Sequence, residues 1–346
     1  MYKRGNSGIW FLIFLVLAAV LFLANLWYGS VLIAWKDVLA VLLGSSGKNK
    51  VYEVIILDYR LPQAVTALAV GMALSVAGLV LQTVFRNPLA GPSVLGISSG
   101  ASLGVAVVVS AGSLIGLEML NQSYLLFDIP LVLAAVTGSL LVLLIIIFVA
   151  QRISNAVTIL IIGIMIGYAV SAVVGVIQFF SRDEELHAYI LWGLGSFSNT
   201  NNMQAVFLLL TSLAVTAAVL LYSKSLNALL LGVAYARNSG INVKVAQNIL
   251  IILAGLLIAL GTVFTGPIAF VGLAVPHLAR NFFKTSSHGI LIPAVIIMGT
   301  SLTLACNLVA RLPGYDTSLP INAVTSLIGA PVVIWVIVKR GKVKKA

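Results

Sequence analysis

The chain of 346 residues is 61% hydrophobic and 8% charged, with 20 basic residues against 9 acidic ones for a formal charge of +11. Soluble domains carry about 25% charged residues, so there is too little charge here to coat a water-facing surface, and the solvent must be lipid. The single cysteine, Cys306, excludes an intrachain disulfide and a multi-cysteine zinc site, and three histidines make a histidine-rich metal centre remote.

A bilayer core offers no water to unpaired backbone groups, so each long apolar run is expected to form a helix that ends where charge, Pro, Gly or Asn interrupts it. Met1-Tyr2-Lys3-Arg4 ahead of apolar Ile9 to Tyr28 has the layout of a signal peptide. The apolar stretch is as long as the roughly 20 residues a bilayer requires, however, and the rest of the chain is equally apolar, so an uncleaved first span is the better reading. The ten expected spans are 9–28, 61–84, 94–115, 130–150, 157–180, 203–222, 245–265, 267–283, 290–310 and 319–338. This is an all-α, polytopic membrane protein with a single transmembrane domain over 1–346. The eighth span is short, carries Pro267, Pro276 and His277, and reads as a broken or tilted helix.

An even number of spans puts both termini on one side. If that side is the cytoplasm, it receives Lys3, Arg4, Arg86, Arg152, Lys224, Arg237, Lys244, Arg280, Lys284 and the basic C-terminal run from Lys339 to Lys345. All the carboxylates, from Asp37 to Asp316, then lie outside. The basic bias is the signature of cytoplasmic loops. A nucleic-acid reader would need its cations gathered on one exposed element, whereas these are scattered singly between apolar runs, so no nucleic-acid partner is expected.

The predicted spans hold no Asp, Glu, Lys or Arg near their middles, where an ion-driven carrier usually keeps one. His277 sits near a span end and reads either as a backbone-bonded helix residue or as a proton relay. No GxxxxGK phosphate loop and no HExxH motif occurs, so ATP binding in that manner and metalloprotease chemistry lack support. In the fifth span Gly163, Gly167, Ser171 and Gly175 recur every fourth residue. Such a ladder either packs against a neighbouring helix or leaves a smooth wall for a solute. Between the sixth and seventh spans, the loop 223–243 reads as a short helix from Leu226 to Arg237 and then a turn at Gly240. It suits either a partner's groove or the lipid headgroups.

Several short motifs occur in fixed order: Arg60-Leu61-Pro62, Gln82 through Asn87-Pro88-Leu89-Ala90, Leu95-Gly96-Ile97-Ser98-Ser99-Gly100-Ala101, Gly266-Pro267-Ile268-Ala269-Phe270-Val271-Gly272-Leu273, Pro276-His277-Leu278-Ala279-Arg280, and Gly329-Ala330-Pro331. From about residue 55 to the end of the last span, the chain resembles the permeases of bacterial ABC importers for iron chelates, haem and cobalamin. The resemblance implies a ten-span subunit of the inner membrane, working as a homodimer or beside a sister permease. It implies two ATPase subunits, which hold the ATP and magnesium, and a periplasmic or lipid-anchored substrate-binding protein. No cofactor or metal is then expected on this chain.

In the terms of that family, Gly163, Gly167, Ser171 and Gly175 line the pathway. Leu226, Leu230, Gly232, Ala236, Arg237 and Gly240 belong to the element coupled to the ATPase. Arg60 and Arg311 meet carboxylates of the binding protein. The chain departs from the pattern at Gln63, where the family often has a second arginine, at Val233 and Ala234, where an acid is usual, and at Ser318-Leu319-Pro320-Ile321-Asn322 in place of Glu-Leu-Pro-Val-Gly. The rival reading is an ion-coupled secondary carrier working without ATPase partners, which would need a midplane acid. An intramembrane enzyme would need a nucleophile or metal constellation that no spacing provides.

Overall fold

The computed structural model describes residues 7–44, 49–114, 124–153, 155–311 and 318–343. Among them every regular element is helical. In chain order these are α1 (Ser7–Trp27), α2 (Trp35–Leu42), α3 (Lys50–Val54), α4 (Leu61–Val84), α5 (Ile97–Leu114), α6 (Tyr124–Arg152), α7 (Ala156–Phe180), α8 (Asp183–Gly193), α9 (Asn202–Leu221), α10 (Ser223–Leu231), α11 (Val233–Asn238), α12 (Val243–Thr265), α13 (Val271–Phe283), α14 (His288–Ala310) and α15 (Ile321–Val343). A π-turn, Ile55–Arg60, fuses α3 to α4.

Each expected span contains a helix, namely α1, α4 to α7, α9 and α12 to α15. Seven helical segments are long and apolar enough to cross a bilayer alone, while the apolar parts of α5 and α15 are shorter. At 1.5 Å per residue, the 13 residues of α13 fall well short of a hydrocarbon core about 30 Å thick.

Two expected boundaries are corrected. The third span starts at Ile97, after a 3-10 turn over Pro92–Leu95 that ends in Gly96 at φ 70°. The eighth is helical only from Val271, because Gly266 adopts φ 72° and Pro267 has no N–H to continue a helix. Irregular backbone is tolerated inside a bilayer when protein satisfies it, and two hydrogen bonds do so here in part. Ser196 N donates to Thr265 O at 2.9 Å, and Ala269 N donates to Asn322 Oδ1 at 3.1 Å. Asn322, a departure from the family pattern, therefore supplies an acceptor that glycine would lack.

The bundle is built around α4, which packs against α9, α12, α13 and α14. Without competing water, close approach depends on small residues and side-chain hydrogen bonds. A Cβ at Gly78 would run into the Gly272 carbonyl of α13. Thr303 of α14 donates to Ala67 O of α4 at 2.7 Å. Around this centre α1 is peripheral, and α7 leaves Met165, Tyr168, Val173 and Val176 exposed.

The ends of the bundle differ in charge. Arg86, Arg152, Lys224, Arg237, Lys244, Arg280 and Lys284 share the end that carries α10 and α11, and among the described residues no carboxylate joins them. Asp37, Glu53, Asp58 and Asp183 to Glu185 lie at the opposite end.

Candidate functional site

The polar loop after α9 forms an elbow of two helices rather than the single one expected. Gly232, at φ 128° and ψ 156°, breaks Ser223–Leu231 from Val233–Asn238, a conformation that L side chains avoid. Gly240, at φ 80°, makes the second turn, as expected. The predicted elbow residues divide by burial. Leu226 and Ala236 are fully buried and hold the elbow to the bundle, whereas Leu230 and Arg237 are exposed beside Leu231 and Tyr235.

Asn227 makes the elbow's side-chain hydrogen bond to the bundle. Its Oδ1 accepts from His288 N at 2.8 Å and from His288 Nδ1 at 2.8 Å. The amide oxygen carries no hydrogen, so Nδ1 must hold the imidazole proton. On the other side of the ring, Nε2 lies 2.8 Å from Thr83 Oγ1 of α4 and takes its hydroxyl proton, which Leu79 O shares at 2.9 Å. A buried chain of polar contacts thus joins the elbow to the first residue of α14 and the last turn of α4. Sequence reasoning missed Asn227, His288 and Thr83, since each sits at a helix end with no periodicity to mark it.

The motif residues that lie far apart in sequence meet at this same end. Gln82 donates to Leu273 O at 3.3 Å and accepts from Arg280, while His277 Nε2 donates to Pro88 O at 2.8 Å. His277 is thereby bonded to backbone, the first of its two expected readings. Asn87 Oδ1 accepts from Leu89 N at 2.9 Å, which closes the loop that carries Pro88.

The small-residue ladder of α7 is split between contact and exposure. Gly163 and Gly167 lie against the left-handed turn at Gly96, where a Cβ on Gly96 would stand 3.0 Å from Gly163 O. Ser171 is exposed, and a Cβ added to Gly175 would meet nothing within 4 Å. One half packs and the other half is an open face, continued by the exposed ring pair Phe179–Phe180.

Arg60 and Arg311 come together at the opposite end, both buried. Arg60 donates to the carbonyls of Leu26, Trp27 and Val31, and Arg311 donates to Asn25 O at 2.9 Å. The last turn of a helix presents unpaired carbonyls and a partial negative charge, so the two guanidiniums cap α1. Burial, with repulsion from Arg60, pushes the Arg311 guanidinium down to about 9, still charged at neutral pH. Asn307 Nδ2 donates to Asn25 Oδ1 at 2.8 Å and fixes the same turn. Both guanidiniums are thus turned toward carbonyls of residues 25–31 and are buried. Gln63, where the family often has arginine, donates to Ser198 Oγ at 2.6 Å.

An apolar bundle with an amphipathic elbow and an uncovered helix face is the layout of a multi-pass membrane transport protein. Residues 16–339 match the FecCD transport family, and the chain belongs to that family. It is 33% identical over 293 residues to the vitamin B12 import system permease protein BtuC of Klebsiella pneumoniae, covering 84% of both chains. It is 32% identical over 357 residues to a putative ABC transporter permease protein of Methanocaldococcus jannaschii, covering 99% of both. Its fold is similar, at TM-score 0.82 and 27% identity, to a solved structure described as an inward-facing conformation of a putative metal-chelate type ABC transporter, covering 95% of this chain and 98% of that one.

Proposed function

We propose that this chain is the permease subunit of an ATP-driven importer that moves an iron chelate, haem or cobalamin inward across the bacterial inner membrane. Two ATPase subunits bind and hydrolyse ATP with magnesium on the cytoplasmic side, and a substrate-binding protein delivers cargo from outside. A second permease copy, or a sister permease, faces the open half of α7, so that Ser171 and Gly175 line the pathway between them. The basic end that carries the elbow faces the cytoplasm, in line with the positive-inside bias, and both termini lie on that side.

The observation that carries this reading is the elbow: exposed Leu230, Leu231 and Tyr235 on a frame tied by Asn227 and His288 to the central helix. ATP-driven closure of the ATPases displaces that exposed face. The Asn227–His288–Thr83 contacts and the buried Leu226 and Ala236 pass the displacement to α4 and α14, where two packings alternate. The chain itself performs no chemistry on the cargo.

Reconstitution tests the proposal. Vesicles holding the permease with its ATPase and binding protein should accumulate chelate only with ATP, and Tyr235→Asp should abolish both ATPase retention and uptake. Uptake by the permease alone under an ion gradient would establish the secondary-carrier reading instead.

A further inference from the structure

A cavity of about 110 Å³ lies between the elbow and the bundle. Its floor is apolar and largely buried, with Val84, Phe85, Ala150, Ile159 and Ile251. Its polar wall is unusual for a membrane protein. Lys244, Gln247 and Asn248, together with Ile251, follow the i, i+3, i+4, i+7 spacing of one face of α12, and Arg237 of α11 stands at the same cavity. None of these four polar side chains makes a side-chain hydrogen bond or ion pair with another described residue, and no carboxylate among the described residues lies at this end of the bundle.

Arg237 and Lys244 place two cations, both exposed, at one small cavity, and an anion held between them lowers their mutual repulsion. A guanidinium and an ammonium, with two amides, offer donors that match phosphate oxygens. The volume is well below the roughly 300–1,000 Å³ of pockets that engulf a drug-sized ligand. It therefore excludes a bulky chelate or corrinoid and admits a single phosphate-sized group.

We propose that Arg237, Lys244, Gln247 and Asn248 form a binding site for a phosphate group, supplied by an acidic phospholipid or by free phosphate, and that its occupant clamps α11 against α12. The apolar floor and the position at the end of the bundle favour the lipid phosphate, whose glycerol backbone and chains can extend along neighbouring apolar surface. Occupancy sets the angle of the elbow, and so adjusts how readily movement passes into the bundle. This regulatory half rests on the elbow being the ATPase contact; the binding half does not.

The test uses the full-length permease without any ATPase, so that failure of the transport reading cannot mask it. In one arm the protein is exchanged into nanodiscs of phosphatidylcholine containing a minor fraction of phosphatidylglycerol, and retained lipid is measured by native mass spectrometry. In the other, inorganic phosphate or glycerol 3-phosphate is titrated into detergent-solubilised protein and the thermal midpoint is followed. The variants are Arg237→Gln and Lys244→Gln, both at exposed positions, Asn248→Leu, which keeps both charges, and Lys224→Gln as a control cation outside the cavity.

Phosphatidylglycerol retention that drops at least about tenfold in Arg237→Gln and Lys244→Gln, drops less in Asn248→Leu and holds in Lys224→Gln establishes the lipid as occupant. A phosphate-dependent thermal shift lost in the same cavity variants establishes free phosphate. Equal behaviour of wild type and cavity variants in both arms overturns the proposal. So does a loss in Lys224→Gln as large as in Lys244→Gln, which would mean that a diffuse basic surface is responsible.

Discussion

The most apolar stretches of the α4 and α7 spans are nearly equal in hydropathy and the two helices are similar in length, yet 89% of that stretch is buried inside the chain for α4 against 22% for α7. In water, apolar content would drive both helices inward; in lipid it places both in the membrane and says nothing about which is central. What separates them is the use of small residues. On α4, Gly71 and Gly78 meet backbone of α14 and α13 directly. On α7 Gly163 and Gly167 are used in this way, and the ladder runs on to Ser171 and Gly175, which are exposed among the described residues. Equal spacing in sequence therefore has two outcomes, packing where another backbone arrives and an open wall where none does.

The contrast is sharpest under enlargement of a glycine. Gly78→Leu forces side-chain atoms into the Gly272 carbonyl, with no flexible group to yield, and should cost at least about 3 kcal/mol. Thermal unfolding in detergent and the yield of folded protein measure this. Gly175→Leu should leave stability within about 0.5 kcal/mol, while cutting ATP-driven uptake by an order of magnitude or more if the open face is pathway. Equal stability losses at the two sites would break the comparison.

Next in size is the polar link from the elbow to α4. His288→Ala leaves Asn227 and Thr83 without their buried partner and should cost about 1–3 kcal/mol. Its distinctive effect is on coupling: ATP hydrolysed per cargo molecule rises severalfold in reconstituted vesicles while the ATPase stays bound. An unchanged ratio would leave His288 a packing residue only.

Arg60→Ala removes three hydrogen bonds to carbonyls that hold the end of α1 and the segment after it, and should cost about 1–3 kcal/mol. Hydrogen exchange should then rise over residues 26–31. If the family's docking role also applies, charge reversal at Arg60 and Arg311 weakens binding-protein capture more at low salt than at high salt. The smallest stability effect belongs to Tyr235→Ala on the exposed elbow, within about 0.5 kcal/mol. Retention of the ATPase should nonetheless fall.

Much of the architecture was legible in the sequence because a bilayer enforces it. Backbone groups in hydrocarbon must pair within their own segment, so the apolar runs gave the expected spans, and Gly and Pro marked the breaks. The non-helical start of the eighth span was visible in Gly266 and Pro267, and the turn at Gly240 in its glycine. Gly232 was present in the sequence but not read as a break, since a lone glycine inside a helical pattern is often tolerated. Helices α2, α3 and α8 lie between the expected spans, where the apolar pattern that marks a span is absent.

By itself the sequence determined that this protein lives in lipid, how often the chain turns, and which motifs make it similar to chelate and cobalamin permeases, because hydration and backbone pairing are properties of each segment alone. Only tertiary structure decided that α4 is the centre and α7 the rim, that His288 joins the elbow to α4, that Arg60 and Arg311 are drawn inward to cap α1, and that Arg237 and Lys244 share one cavity. Those outcomes depend on which backbone or acceptor arrives from a distant part of the chain, and neither hydropathy nor spacing along one helix encodes that meeting.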